Sequence, residues 1–153
     1  MHINPYNKKY ANNKNIALSE PNALALEKQG YGYVVASIGK LSGDMPYTVF
    51  YARKSFIKKN DEIIRNFVKA INMGLKFTEE NDSKTIAKII LPQFPDTSIN
   101  DLAKIINRYK ENDAWLTNNI ISEKLLQNLE DVMIDNDLLD KYVPFKDIVK
   151  NYE

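Results

Sequence analysis

Two short runs of β-branched and aromatic residues constrain the fold of this chain more than any other feature. They are Tyr33 to Ile38 and Tyr47 to Tyr51, and both lie in the stretch from Asn15 to Ser55. Each run is bounded by glycine or proline, which favours strands over helices. Because both runs are almost continuously apolar, we expect them to be buried on both faces, in a sheet that helices cover.

A strand–helix–strand order surrounds the first run. Residues 15–19 are suited to a further short strand, and Pro21 fits the first position of a following helix because its fixed φ costs no hydrogen bond there. Gly30 is placed to end that helix just before Tyr33. This order is typical of α/β proteins.

Beyond Ser55 the pattern changes to helices alone. Apolar residues recur there at three- and four-residue spacing, which gives each segment one apolar face. We expect helices to begin near Asp61, Ser83, Ser98, Ser122 and Pro144. The predicted fold class is therefore α/β and helix-rich, with two or three short strands against roughly six helices. A sheet of two or three strands cannot cover the apolar faces of six helices. We therefore expect the chain to form part of a larger α/β unit.

Composition excludes several kinds of site. The chain has no cysteine and one histidine, His2. Disulfides, thiolate metal sites and cysteine nucleophiles are therefore excluded, as are histidine triads and multi-histidine zinc sites. We expect no catalytic residues, no metal, no cofactor and no enzymatic activity. Because 21 Lys and Arg nearly balance 20 Asp and Glu, we also expect no nucleic-acid partner.

Residues 1–14 are rich in asparagine and lysine and show no periodicity. We interpret them as a flexible leader, not as a signal peptide, because they lack an apolar core. No run reaches the roughly 20 apolar residues of a membrane span. As written, the chain is expected to stay in the cytoplasm.

Six segments occur in a telling order along the chain: SEP, LEKQGYGYVVASIG, PYTVFYARKSFIKKNDEIIRNFVKAI, PDTSINDLAKIINRYKENDAW, LQNLEDVM and VPFKDIV. Together they resemble the C-terminal part of a bacterial ABC-transporter substrate-binding protein. The type they most resemble is the nitrate/sulfonate/taurine and thiamine-precursor group, which has the type II periplasmic-binding-protein fold. The resemblance covers residues 16–151.

The resemblance implies two α/β lobes that close over a small solute and deliver it to an ABC permease. It assigns residues 15–44 to the end of the second lobe and the hinge crossing. It assigns residues 45–153 to the C-terminal strand and helices of the first lobe. The family's N-terminal half is absent from this sequence, so we expect a truncated member of an extracytoplasmic protein, periplasmic or at the cell surface. Its own missing half, or a second copy, is then a further expected partner.

Three residues are candidate ligand-binding residues. Members of the family often place an acidic residue facing the cleft at the position of Glu20, where a carboxylate accepts hydrogen bonds from an ammonium or aminopyrimidine group. The alternative is an acid favoured by the dipole at a helix start. Tyr47 and Thr48 offer hydroxyls and a stacking ring at the re-entry into the first lobe. The alternative is that both are only strand residues.

Other features also have two interpretations. Gly39 and Gly43 flank either a hinge or a plain loop. The only tryptophan, Trp115, either packs on the core, which we favour, or approaches the cleft mouth. The acids from Glu130 to Asp137 do not match a calcium loop and are interpreted as a solvated helix end. For the whole chain, the alternative to solute binding is a helical interaction remnant or self-associating module that no longer binds a solute.

Overall fold

A computed structural model describes residues 16–112 and 114–152. Within these ranges the chain forms eight α-helices and one short 3-10 helix. They are α1 (Asn22–Lys28), α2 (Ile38–Ser42), α3 (Lys54–Lys59), α4 (Asp61–Glu80), α5 (Ser83–Ile90), the 3-10 helix (Leu91–Gln93), α6 (Ile99–Glu111), α7 (Glu123–Asp135) and α8 (Phe145–Ile148). The predicted leader, residues 1–14, lies outside the described ranges, and so does His2.

The predicted α/β fold is wrong. Over residues 16–112 and 114–152 there is no strand and no sheet. The run that begins at Tyr33 is irregular up to Ser37, whose side-chain oxygen accepts from the Lys40 amide at 3.3 Å and caps α2. The run from Tyr47 to Tyr51 is irregular too. β-branched and aromatic residues suit a pleated, half-buried surface, but they form a strand only where another strand pairs with them.

The helices predicted beyond residue 60 are confirmed. The longest, α4, begins at Asp61 as expected. The Ser98 side chain accepts from the Asp101 amide at 3.1 Å and caps α6. Ser122 caps α7 in the same way, accepting from the Leu125 amide at 3.2 Å. A capping side chain satisfies an amide that has no partner inside the helix, which explains why these starts are readable from sequence.

The apolar core lies between α5 and α6. Ile86 and Ala87 of α5 pack against Leu102 and Ile106 of α6, and all four side chains are buried. The start of α5 is fixed by Asp82, whose carboxylate accepts from the two amides that follow Ser83, at 2.9 and 3.0 Å. Two short amphipathic helices thus bury each other's apolar faces.

Ionic contacts hold both ends of α4. At its C-terminal end, Lys110 Nζ donates to the main-chain carbonyls of Thr78 and Asn81 at 2.8 and 2.7 Å. A cation is favoured there because the last carbonyls of a helix carry partial negative charge. At its N-terminal end, Asp61 accepts from Lys150 Nζ and the Tyr152 hydroxyl, both at 3.1 Å. Among the described residues, no helix is both long and apolar enough to cross a membrane.

Candidate functional site

A small apolar hollow lies where the start of α1 meets α5 and α6. Its volume is about 190 Å³. Drug-sized ligands occupy pockets of roughly 300–1,000 Å³, whereas a cavity of about 150 Å³ accepts a benzene ring. The hollow therefore suits a molecule with one small ring. Its lining includes Glu20, Pro21, Phe94, Ile106, Tyr109 and Trp115.

A larger groove, of about 400 Å³, runs along α4 between Arg65 and Lys76. All of its lining residues belong to α4. A groove on one helix has no opposite wall, so a small molecule there would keep most of its surface in water. Since ligand sites bury most of their ligand, the hollow is the better candidate.

The Glu20 carboxylate is held firmly at the edge of the hollow. Its Oε1 accepts from Arg108 Nη1 at 2.7 Å, and its Oε2 accepts from the Leu24 amide at 2.9 Å. The side chain is only 9% exposed. The bond from the Leu24 amide places the carboxylate at the first turn of α1. This is the contact expected of an acid at a helix start, which was the alternative interpretation of Glu20. Each oxygen still has capacity for a further hydrogen bond.

Arg108 joins two carboxylates. Besides Glu20, it donates through Nη2 to Glu27 of α1, whose other oxygen accepts from the Val34 amide at 3.0 Å. Arg108 holds the pKa of the Glu27 carboxyl below its ordinary value, and the Val34 amide adds to this effect. In return, Glu27 first and then Glu20 raise the pKa of Arg108. These hydrogen bonds from Arg108 tie α1 to α6.

Two aromatic side chains form the other side of the hollow. The ring centroids of Tyr109 and Trp115 lie 5.5 Å apart with the planes tilted by 53°. Trp115 lines the hollow and keeps 39% of its surface exposed. It is thus partly buried in the lining of the hollow, which it shares with the core residues Leu102 and Ile106.

The other two candidate ligand-binding residues lie elsewhere. Tyr47 is 92% exposed, Thr48 is also exposed, and neither belongs to the lining of the hollow. Their role in binding stays a prediction. Of the proposed hinge glycines, Gly39 lies within α2, whereas Gly43 follows it with φ +76°, a conformation that favours glycine.

The interpretation of the late acids as a solvated helix end is wrong for one residue. Glu130 is buried, and its carboxylate accepts from the Val143 amide at 2.9 Å. Its neighbour Asp131 accepts from the Tyr142 hydroxyl at 2.6 Å, which raises the pKa of that phenol. Both acids hold the chain after α7. Within the described ranges, no group of three or more acids or histidines is arranged to bind a metal ion.

Arg108 is the residue of the candidate site that the sequence analysis missed. It lies 88 residues from Glu20 along the chain, so no local pattern connects them. Glu20 precedes α1 whereas Glu27 lies within it, so helical spacing did not reveal this pair of acids either.

The chain is similar to a protein of Bacillus subtilis (strain 168) named "Putative binding protein YtlA". The two are 34% identical over 134 residues, which cover 88% of this chain and 40% of YtlA. The chain thus spans well under half the length of this relative. No protein-family model matches the chain. No solved structure matches it either.

Proposed function

We propose that this chain is part of the solute-binding component of an ABC import system of the nitrate/sulfonate/taurine or thiamine-precursor type. It captures its solute non-covalently, without turnover, and the complete protein acts outside the cytoplasmic membrane beside its permease. The similarity to a protein named for binding supports the binding role. The observation that carries the proposal is the hollow, whose lining combines the acid Glu20 with apolar and aromatic residues.

The chemistry of the hollow favours an amino-substituted ring over a small anion. Glu20 is the ionisable acid in its lining, and no Lys or Arg is among the described lining residues. Nitrate or a sulfonate would meet a carboxylate there. An aminopyrimidine would donate to the free positions of that carboxylate and place its ring against Tyr109 and Trp115. We therefore place the solute on the thiamine-precursor side of the proposal.

Binding of a solute in the hollow can be measured through Trp115. It is the only tryptophan in the chain and it lines the hollow, so its fluorescence reports on what enters. We expect a 4-aminopyrimidine to change this emission saturably and to give the same dissociation constant by isothermal titration calorimetry. Taurine, methanesulfonate and nitrate should give no saturable change over the same concentrations. A chain silent to every compound by both methods would overturn the proposal.

A matched pair of variants tests the role of Glu20. Glu20→Gln and Glu27→Gln each remove one carboxylate that binds Arg108, but only Glu20 lines the hollow. We expect Glu20→Gln to weaken aminopyrimidine binding by about tenfold or more, because a hydrogen bond to a charged group contributes roughly 1.5–3 kcal/mol. Glu27→Gln should change it far less. Equal losses would show that Glu20 acts only through the fold.

A further inference from the structure

Residues 47–59 form a continuous run of chain that combines exposed aromatic side chains with cations, and we call it the aromatic–basic segment. Every residue from 47 to 56 is exposed. Tyr47 and Tyr51 are each more than 90% exposed, and Phe50 is 72% exposed. These residues follow one another in sequence, so their proximity does not depend on how the rest of the molecule packs.

The aromatic–basic segment carries a concentrated positive charge, although the chain as a whole is nearly neutral. Its four cations are all exposed: Arg53, Lys54, Lys58 and Lys59. No acid occurs in the sequence between Asp44 and Asp61. None of the four cations forms an ion pair with another residue that the structure describes. A basic run of this kind attracts an anionic surface.

The backbone of the segment is also open to its surroundings. Residues 47–53 are irregular, and α3 follows them directly. Between residues 48 and 52 no amide donates to a carbonyl of another described residue. Such amides need acceptors, which water and lipid headgroups supply and a hydrocarbon core does not. The segment is therefore suited to the surface of a bilayer and not to its interior.

We propose that the aromatic–basic segment binds the surface of an anionic lipid bilayer. Tyrosine and phenylalanine rings enter the boundary between headgroups and acyl chains, while lysine and arginine are attracted to anionic headgroups. Each cation near such a surface strengthens partitioning by roughly fivefold. A bilayer is fluid, so it accommodates an irregular segment without the matching shape that a folded partner requires.

An acidic protein is the other partner that the charge would suit. A protein interface has a closely packed centre, in which side chains are held in fixed positions. The Phe50 ring contacts the Phe67 ring, with centroids 4.8 Å apart, but Tyr47 and Tyr51 stand almost wholly in solvent. Immobilising such free side chains costs conformational entropy. A fluid lipid surface demands less of this ordering, which favours lipid over protein.

Co-sedimentation with vesicles tests the proposal. The probes are vesicles of phosphatidylcholine alone and of phosphatidylcholine with phosphatidylglycerol, each mixed with the whole 153-residue chain. We expect saturable binding to the anionic vesicles and about tenfold or more weaker binding to the neutral ones. Sodium chloride at about 0.5 M should weaken the binding, because it screens exposed charges. No binding to the anionic vesicles, or equal binding to both, would overturn the proposal.

Two double variants test the cations. Lys58→Gln with Lys59→Gln should weaken binding to anionic vesicles by about twentyfold, since each charge contributes roughly fivefold. Lys84→Gln with Lys88→Gln removes the same charge from exposed positions on α5 and should have far less effect. Equal losses for the two pairs would show that only the net charge of the chain matters, and the segment would not be the binding site.

Tyr51→Ser tests the rings, and Tyr33→Ser is its matched control because Tyr33 is 88% exposed and lies outside the segment. Since Tyr51 is 94% exposed, its substitution should leave the far-UV circular dichroism unchanged. We expect Tyr51→Ser alone to weaken binding, by about fivefold or more, because it removes apolar area from the interface. Unchanged binding would indicate a purely ionic contact, as any acidic polymer makes, and would overturn the assignment to lipid. The inference does not involve the hollow, so it and the proposed function can fail separately.

Discussion

Arg108 is the side chain on which the surroundings of the hollow depend most. It is 21% exposed and binds two carboxylates that are themselves 9% and 17% exposed. At such partial burial, losing the cation costs more than the bonds it made, because two carboxylates remain close together without compensation. Since Glu20 lines the hollow and Glu27 lies on α1, one guanidinium positions both the candidate ligand group and the helix behind it.

We expect Arg108→Ala to lower the free energy of unfolding by about 2 kcal/mol, from the loss of charged hydrogen bonds. Arg108→Lys should recover only part of this, because an ammonium cannot reproduce the two-pronged geometry. The control is Lys76→Ala, whose pair with Glu80 is exposed and should contribute little. Urea unfolding followed by circular dichroism measures all three. Similar losses for Arg108→Ala and Lys76→Ala would show that the cluster does not hold α1.

At the scale of elements, contacts at the ends of α4 connect the middle of the chain to its last described residues. Asp61, the first residue of α4, accepts from Arg65 Nε at 2.7 Å and also binds Lys150 and Tyr152. Tyr152 is buried, and the cations of Arg65 and Lys150 lie over its ring, at 5.2 and 4.4 Å from the centroid. A helix that buries none of its own residues is thus held mainly at its termini.

The contacts of Asp61 should make the free energy of unfolding depend on pH in the acid range. Hydrogen bonds from Arg65 first, then Lys150 and Tyr152, lower the pKa of Asp61 to about 2, against about 3.9 when unfolded. A carboxyl with a depressed folded pKa stabilises above the unfolded value, and that contribution is lost as pH falls towards about 2. Asp61→Asn should therefore reduce stability at pH 5 and flatten its decline between pH 5 and 2. Urea midpoints at each pH test this.

At the scale of the whole molecule, stability is concentrated in one place. The cluster of Ile86, Ala87, Leu102 and Ile106 joins α5 to α6, whereas residues 31–59 contain no buried side chain. Local opening costs most free energy where buried apolar contacts are densest. The chain should accordingly behave as a stable α5–α6 pair with less protected segments on either side.

Hydrogen exchange followed by mass spectrometry tests this picture. We expect the amides of α5 and α6 to exchange slowest and those of residues 44–53 to exchange fastest among the described residues. Ile106→Ala should remove the protection of α5 and α6 together, because Ile106 is the largest fully buried side chain; such truncations cost roughly 2–5 kcal/mol. Protection spread evenly over the chain would contradict it.

Much of the helical structure could be predicted because its signals are local. The starts of α4, α6 and α7 depend on capping residues and apolar spacing within a few positions, so Ser98 and Ser122 were identified correctly. The candidate site was predicted only in part. Glu20 was found, since it adjoins a helix start, but most residues that accompany it in the hollow come from α5, α6 and the segments that follow them. Burial of Glu130 was missed because it depends on the Val143 amide.

By itself, the sequence determined where the helices after residue 60 begin, because each of those starts is decided by neighbours within one turn. It also determined which sites are impossible, because no fold can supply a missing cysteine. Tertiary structure alone decided that the β-rich runs stay unpaired, since a strand exists only with a partner at its side. It also decided that Arg108 meets Glu20 across 88 residues of chain, since such contacts depend on how α1 packs against α6.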